Sequence, residues 1–400
     1  MTVRKTRIAY LVTHPIQYQA PLLRRIAASP DIDLTVYFQS DISVRSFFDA
    51  DFGRPIEWDV PLLDGYRSEF LPALGRRDRV SALRPFSYGI LRRLFAEKYD
   101  FLWVHGYSRW FNWVAMAAAR LSSTRVLLRD DATPISRPRS KLKQTLKREI
   151  LFRWLRAVCD GFLATGTRNR EFYLQNGIRP ERLFSVPNCV DNDYFAARAQ
   201  AAAADREALR ASLGLEPGRP VILFAGKFRG LKRAGDLIAA VRRLNENGSS
   251  PSPYLILAGD GALRQELENA AHPIADSVRF TGFRNQSELP AFFDLCDVFV
   301  LSSEFETWGL AVNEAMSAGR AVIVSDRVGC APDLVQNGIN GFCYPCGDVD
   351  ALTDCLAKVL HSPETIRAMG EASAAIIAQW GLQQDVDGLR AAFSALGGRE

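Results

Sequence analysis

The stretch "VFVLSSEFETWGLAVNEAMSAGRAVIVSD" (298–326) decides the fold. Its two ends, 298–303 and 321–326, are short apolar, β-branched runs without the polar alternation of a half-exposed strand. They predict strands covered on both faces, as in a parallel sheet. The middle reads differently. "EFETWG" is a loop, and "AVNEAMSAG" is a helix that stops at Gly319, the residue type favoured just past a helix end. Strand, loop, helix and strand in one such stretch make a βαβ unit. Two acids stand out in it. Glu306 falls in the loop, near the amino end of the helix, and Glu314 lies about one turn inside it. Glu314 stands among Val312, Ala315 and Met316, where an unpaired carboxylate is costly, so it needs hydroxyl or cation partners.

The same alternation extends along the chain. In the first half strands are expected at 7–13, 33–39, 101–106, 125–130, 161–166 and 183–188. In the second half they are expected at 220–226, 254–259, 278–283, 298–303, 321–326 and 341–345. The fold class is therefore α/β, with two doubly wound, Rossmann-like domains facing across a cleft at the carboxyl ends of their strands. The first domain is placed at 1–198 and the second at 220–379. The Ala-rich, Pro/Gly-ended stretch 199–219 is read as a linker, and a C-terminal helix over about 380–400 is expected to pack back on the first domain. A dinucleotide dehydrogenase shares this outline, but neither first strand runs into G-x-G-x-x-G.

Composition narrows the class further. The 400 residues are 48% hydrophobic and 24% charged, as in globular proteins, and no apolar run approaches the ~20 residues of a membrane span. The apolar run at 8–12 is too short for a signal peptide, so a cytoplasmic location is expected. Seven cysteines, an odd number in a large chain, are expected to be free thiols. Cys343 and Cys346 have metal-knuckle spacing without a second such pair. The net charge of +5 is uneven. Residues 1–196 carry 31 Lys and Arg against 20 Asp and Glu, so the remainder is acidic. No nucleic-acid recognition motif accompanies the basic half, and an anionic membrane surface fits it as well.

The loops after the second-domain strands carry the chemistry. "FAGKFRGLKRAGD" (224–236) ends a strand at Gly226 and then supplies Lys227, Arg229, Lys232 and Arg233 before a helix, a natural clamp for a diphosphate. Gly259 and Gly261 flank Asp260 in a turn that permits close backbone approach. Phe283 and Arg284 end the next strand where they could border a base. Free N–H groups near Gly309 to Ala311 could hold phosphate or sugar hydroxyls, whereas Glu306 taken alone could simply cap that helix.

"ETWGLAVNEAMSAGRAVIVSDRVGCAPDLVQNGINGF", with its Glu, seven residues, Glu, resembles the signature of the retaining GT-B glycosyltransferases of the family 4 type (glycosyl transferases group 1). "GKFRGLK" resembles that family's diphosphate clamp, with Lys227 where Arg is usual, and "AGDG" and "GIRPERLFSVPNCVDNDYF" (177–195) agree with it. The resemblance implies a metal-independent glycosyltransferase, with no cofactor beyond a nucleotide-diphosphate-sugar as co-substrate. It implies Glu314 on the donor ribose, Glu306 facing the transferred sugar, the N–H groups of Trp308, Gly309 and Leu310 on sugar or phosphate, and Lys227 and Lys232 on the diphosphate. Gly226, Gly259, Phe283 and Arg284 complete the expected donor set, and Glu306, Lys232, Lys227 and His105 the expected catalytic one.

On the acceptor side, His14, Gln17 and Tyr18 follow the first strand, and His105 and Arg109 follow another. Arg129 and Asp130 end a third strand, where many relatives carry a histidine. The segment 137–158 has an apolar helical stripe opposite Lys141, Lys143, Lys147, Arg148, Arg153 and Arg156. It reads as a surface helix that could also dock on anionic lipid. The expected partners are a nucleotide-sugar donor, a glycan or lipid-linked acceptor, and through this helix the inner face of the cytoplasmic membrane, with no nucleic acid. Cell-surface polysaccharide or lipopolysaccharide biosynthesis is the pathway that the family implies. A sugar-nucleotide epimerase and a non-catalytic sugar-nucleotide-binding protein remain as alternatives.

Overall fold

The structure, a computed structural model, describes residues 4–75, 80–135, 147–248 and 251–397. The chain forms two compact units. The first comprises Met1–Phe47, Val60–Val190 and Leu382–Glu400, and the second Phe48–Asp59 and Asp191–Gly381.

In the first unit a seven-stranded sheet runs in the spatial order Leu183–Ser185, Gly161–Ala164, Arg125–Arg129, Phe101–His105, Thr6–Val12, Ile32–Phe38 and Arg67–Phe70. Every neighbouring pair is parallel. In the second unit the order is Val278–Gly282, Tyr254–Ala258, Val221–Ala225, Val298–Leu301, Ala321–Ser325 and Gly341–Tyr344, again all parallel. All twelve strands expected from the sequence form. The inner strands of both sheets are buried on both faces, which is why they read as continuous apolar runs.

Both sheets start at a central strand, build outward one way, then return to the centre and build the other way. Connections leave the two central strands in opposite directions, so a crevice opens between them at their carboxyl ends. In the first unit the central strands are Thr6–Val12 and Phe101–His105. In the second they are Val221–Ala225 and Val298–Leu301.

Three features differ from the sequence reading. The polar strand Arg67–Phe70 extends the first sheet, and two small antiparallel or paired ribbons appear, Phe47–Asp49 with Arg54–Ile56 and Ala73–Leu74 with Phe86–Ser87. Residues 48–59, placed in the first domain by sequence, cluster with the second unit. The stretch 199–219, read as a linker, holds helical turns that pack into the second unit. Arg206 there pairs with both oxygens of the buried Asp294 at 2.6 and 2.8 Å. Just before it, Asn192 donates to the carbonyls of Ile377 and Trp380.

The C-terminal helix Leu382–Leu396 packs in the first unit. Gly388 lets it touch the strand end, since a Cβ there would lie 1.8 Å from the Ser185 carbonyl oxygen. Its Asp385 is fully buried. Burial pushes that carboxyl up to about 6, opposed by Arg129 at 3.8 Å and the Cys189 thiol at 3.2 Å. Arg129, itself buried, donates to the Pro187 carbonyl and the Asn188 side chain. The pair therefore ties a strand end and the last helix to one sheet edge, and removing either member would strand the other charge inside.

Of the basic segment 137–158, residues 137–146 lie outside the described residues. The remainder opens as a π-helical turn, Lys147–Phe152, and continues as the α-helix Arg153–Val158. Among the described residues no helix is long and apolar enough to cross a membrane.

Candidate active site

The reversal of strand order in the second unit places two loops side by side, one after Val221–Ala225 and one after Val298–Leu301. The backbone zips them together. Ser302 donates its hydroxyl to the carbonyls of Lys232 and Arg233 at 3.0 Å each, and the Glu304 N–H donates to Leu231 at 2.8 Å. This contact brings Lys232 and Glu306 into a direct ion pair, each side chain about one-fifth exposed. The sequence reading gave these two residues separate targets, the diphosphate and the sugar. The structure joins them.

Glu306 does not cap the helix Leu310–Ser317, which has no side-chain cap. Its backbone is fixed instead: its N–H donates to Arg327 and its carbonyl accepts from Gly329. Gly329 is obligatory there, since a Cβ would fall 1.9 Å from the Thr307 oxygen. The turn into the helix uses Gly309 at φ +106°, a conformation open chiefly to glycine. Trp308 is buried, stacks on Trp380 at 5.5 Å and donates its indole N–H to Asn313. The first N–H groups of the helix, from Leu310 on, lack intrahelical acceptors by construction.

Glu314 lies inside this helix and is buried. Burial pushes its carboxyl up to about 8, only partly opposed by a hydrogen bond from the Gln286 side chain. No basic group contributes to that shift, in contrast to the ion-paired Glu306. The carboxyl is thus held near neutral at physiological pH and is receptive to donors brought by a ligand.

The rest of the expected clamp is differently occupied. Gly226 and Gly259 allow the two loop backbones to touch: a Cβ on Gly259 would sit 1.8 Å from the Gly226 oxygen. Lys227 Nζ contacts both Asp49 oxygens at 2.9 and 3.1 Å and Asp51 at 3.2 Å, while Arg229 reaches Asp51 at 2.9 Å. Phe283 packs edge-on against Phe52, ring centroids 4.9 Å apart. Arg284 pairs with Glu288 at 3.0 Å and lies over the Phe292 ring. Sequence reasoning missed Asp49, Asp51 and Phe52 entirely. Their signal was an acidic, aromatic run, "FFDADF" (47–52), between two strands of the other sheet.

In the first unit, His105 ends the strand beside the corresponding crevice. Its Nδ1 lies 3.2 Å from the Tyr10 hydroxyl and 3.3 Å from the Gln19 amide, and Tyr10 donates to Gln19 Oε1 at 2.9 Å. With Tyr10 so engaged, the Gln19 amide donates to Nδ1 and the proton resides on Nε2. Burial holds His105 at about 4, so the ring is neutral at pH 7; His14, also lowered to about 4 by burial, behaves alike. Tyr10 and Gln19 were not singled out by sequence. A glutamine opening an otherwise apolar helix face was the available sign. Gln17 and Tyr18 are half-buried on the loop between.

Three residues expected on the acceptor side are buried among protein partners. Arg109 is buried and donates to Gln39 and to the Arg84 carbonyl. Arg129 belongs to the buried pair with Asp385. Asp130 is buried against Asn169 and the Ala132 N–H. Among the described residues no three His, Cys, Asp or Glu side chains converge as a metal site would require.

The Glu314 carboxyl gives a pH test. Its folded pKa of about 8 exceeds the ordinary 4.5, so the folded state binds the extra proton. Stability contributed by this group is present below about pH 4.5 and is lost as pH rises to about 8. Glu314→Gln should therefore match the parent's thermal midpoint near pH 4.5 and exceed it increasingly up to pH 8. Calorimetry at both ends checks this, and equal midpoints throughout would contradict the burial.

Residues 205–375 match the family model described as glycosyl transferases group 1. The chain is 29% identical over 201 residues to alpha-D-kanosaminyltransferase of Streptomyces kanamyceticus, which covers 48% of this chain and 51% of that protein. It is 33% identical over 161 residues to sulfoquinovosyl transferase SQD2 of Arabidopsis thaliana, covering 40% and 30%. The chain thus spans about half or less of the length of these curated relatives. Its fold superposes on Anabaena Alr3699/HepE, crystallised with UDP and glucose, at a TM-score of 0.72 over 97% of this chain and 99% of that one, with 18% identity. The fold is thus that of the GT-B glycosyltransferases, and the segment that matches the glycosyl transferases group 1 model carries Lys227, Lys232, Glu306 and Glu314.

Proposed function

We propose that the protein is a retaining, metal-independent glycosyltransferase that moves a sugar from a nucleotide-diphosphate-sugar to a glycan or lipid-linked acceptor. The observation that carries this reading is the Lys232–Glu306 pair, seated where the second sheet reverses its strand order and beside the uncapped amino end of Leu310–Ser317. Breaking the bond between the anomeric carbon and the diphosphate oxygen leaves negative charge on the departing nucleoside diphosphate. Lys232, with the helix N–H groups, is positioned to stabilise that charge as it develops, which lowers the barrier. Glu306 holds the ammonium in place and turns its carboxylate toward the sugar. Glu314 accepts from the ribose hydroxyls. The acceptor hydroxyl attacks the same face that the diphosphate leaves, and its proton passes to the departing phosphate oxygen. The neutral His105, a donor through Nε2, serves as a hydrogen-bonding group rather than a base.

A panel of UDP-, GDP-, ADP- and dTDP-sugars separates this reading from its competitors. Slow release of nucleoside diphosphate, with product of the donor's own anomeric configuration by proton NMR, is expected. An isomerised donor would make the protein an epimerase. Binding with no turnover would make it a sugar-nucleotide-binding protein.

The acceptor side points to a membrane-borne substrate. Within residues 74–98 of the first unit, Leu74 and Leu83 are about two-thirds exposed and Phe86, Tyr88, Leu91 and Phe95 about half. Leu91 and Phe95 share one face of the helix Ile90–Glu97, and exposed Arg84, Arg92 and Lys98 accompany them. Apolar side chains interleaved with cations fit an anionic lipid surface. A symmetric contact between two copies would set the same cations against each other. This face stands beside the expectation for the basic segment 137–158, of which 137–146 lie outside the described residues. The protein should sediment at low salt with phosphatidylglycerol vesicles and not with phosphatidylcholine vesicles, and Phe86→Ser/Phe95→Ser should abolish this. Failure of the parent to sediment with either would remove the membrane reading.

A further inference from the structure

Residues 48–59 leave the first unit's chain after Phe47, belong to the second unit, and return at Val60. The turn between Phe47–Asp49 and Arg54–Ile56 is locked from within: Asp49 Oδ1 accepts from the N–H groups of Asp51 at 2.9 Å and Phe52 at 3.1 Å. So fixed, the segment lies along three loops at one edge of the second sheet. Asp49 and Asp51 hold Lys227, and Asp51 also holds Arg229. The Asp51 backbone closes on Gly261, where a Cβ would meet its oxygen at 2.9 Å. Phe52 carries the Lys227 ammonium over its face at 4.9 Å and meets Phe283 edge-on. Farther along, the Glu57 carbonyl accepts from Asn285 at 2.7 Å and Asp59 accepts from Ser287.

The charges match in kind and number: two carboxylates face two cations. Burial raises the Asp49 carboxyl, but the hydrogen bond from Lys227 and those from the turn outweigh it and hold the group below its usual range. The Asp49 carboxylate is thus favoured in its ionised form. Lys227 and Phe283 are the groups that the proposed donor site assigns to the diphosphate and the base. A nucleotide reaching them meets an anion and a ring already in place.

We propose that residues 48–59 form an acidic strap, with Asp49 and Asp51 competing with the donor's diphosphate for Lys227 and Arg229 and Phe52 competing for the face of Phe283. The inference rests on the donor reading of Lys227. Donor entry displaces the strap, and departure of the nucleoside diphosphate lets it return. The strap thereby weakens product binding without entering the chemistry at Lys232 and Glu306. Its carboxylates also select against weakly anionic ligands, because only a multiply charged phosphate can outcompete two aspartates at once.

The test is calorimetric titration of the full chain with UDP, GDP and ADP. Asp49→Asn/Asp51→Asn should tighten binding of the accepted nucleotide by about tenfold or more, and Phe52→Ala should tighten it as well. Unchanged or weaker binding in both variants would overturn the strap, as would no binding of any nucleotide to parent or variants. Adding Lys227→Ala to the double variant separates the two layers. If Lys227→Ala weakens binding while the aspartate variants change nothing, the strap alone fails. If Lys227→Ala has no effect, the donor reading of Lys227 fails with it.

Discussion

The reversal of strand order at the centre of the second sheet is the constraint on which the rest depends. Because connections leave Val221–Ala225 and Val298–Leu301 in opposite directions, the loops after them must run side by side with no helix between them. Ser302, donating to two consecutive carbonyls of the neighbouring loop, uses that proximity to fix the spacing. The spacing in turn sets Lys232 against Glu306. A partly exposed pair of this kind contributes little to stability. Its value is positional: it holds a cation at the one crevice the topology must leave open.

Two acids close together along the chain are handled in opposite ways. Glu306 stands on a loop and is neutralised by an ammonium. Glu314 stands in a buried helix, faces the Gln286 amide, and is pushed toward its protonated form by burial. Separation of environment gives one carboxylate held by a cation and another whose ionisation a ligand can draw out. The first unit follows the same economy. Its fully buried charges, Arg129 and Asp385, bind the C-terminal helix to the sheet, while His105 at the equivalent crevice is kept neutral.

The twelve principal strands were legible in the sequence because each is apolar along its length, as burial on both faces demands. The edge strand Arg67–Phe70 was not, since its RSEF is polar and only one neighbour supports it. That Lys232 and Glu306 stand in loops after strands of the second sheet was legible from the pattern of the sequence. Their pairings were not. Lys232 with Glu306 and Lys227 with Asp49 join residues 74 and 178 positions apart, and no local pattern encodes such a match. The ribbon at 47–56 shows the same limit: three-residue strands carry too little period to be read, and their partners lie in another part of the chain. Arg109, Arg129 and Asp130 looked functional because they are charged at strand ends. The structure buries all three among protein partners.

Initial-rate kinetics of Lys232→Ala beside Glu314→Ala, with whichever nucleotide sugar the protein consumes, test the account most directly. If Lys232 stabilises charge on the departing diphosphate, its loss should lower kcat by about a hundredfold while KM changes little. If Glu314 serves nucleotide binding, its loss should raise KM and leave kcat largely intact. An unchanged kcat in Lys232→Ala would contradict the assignment of the second sheet's crevice as the place where the bond is broken.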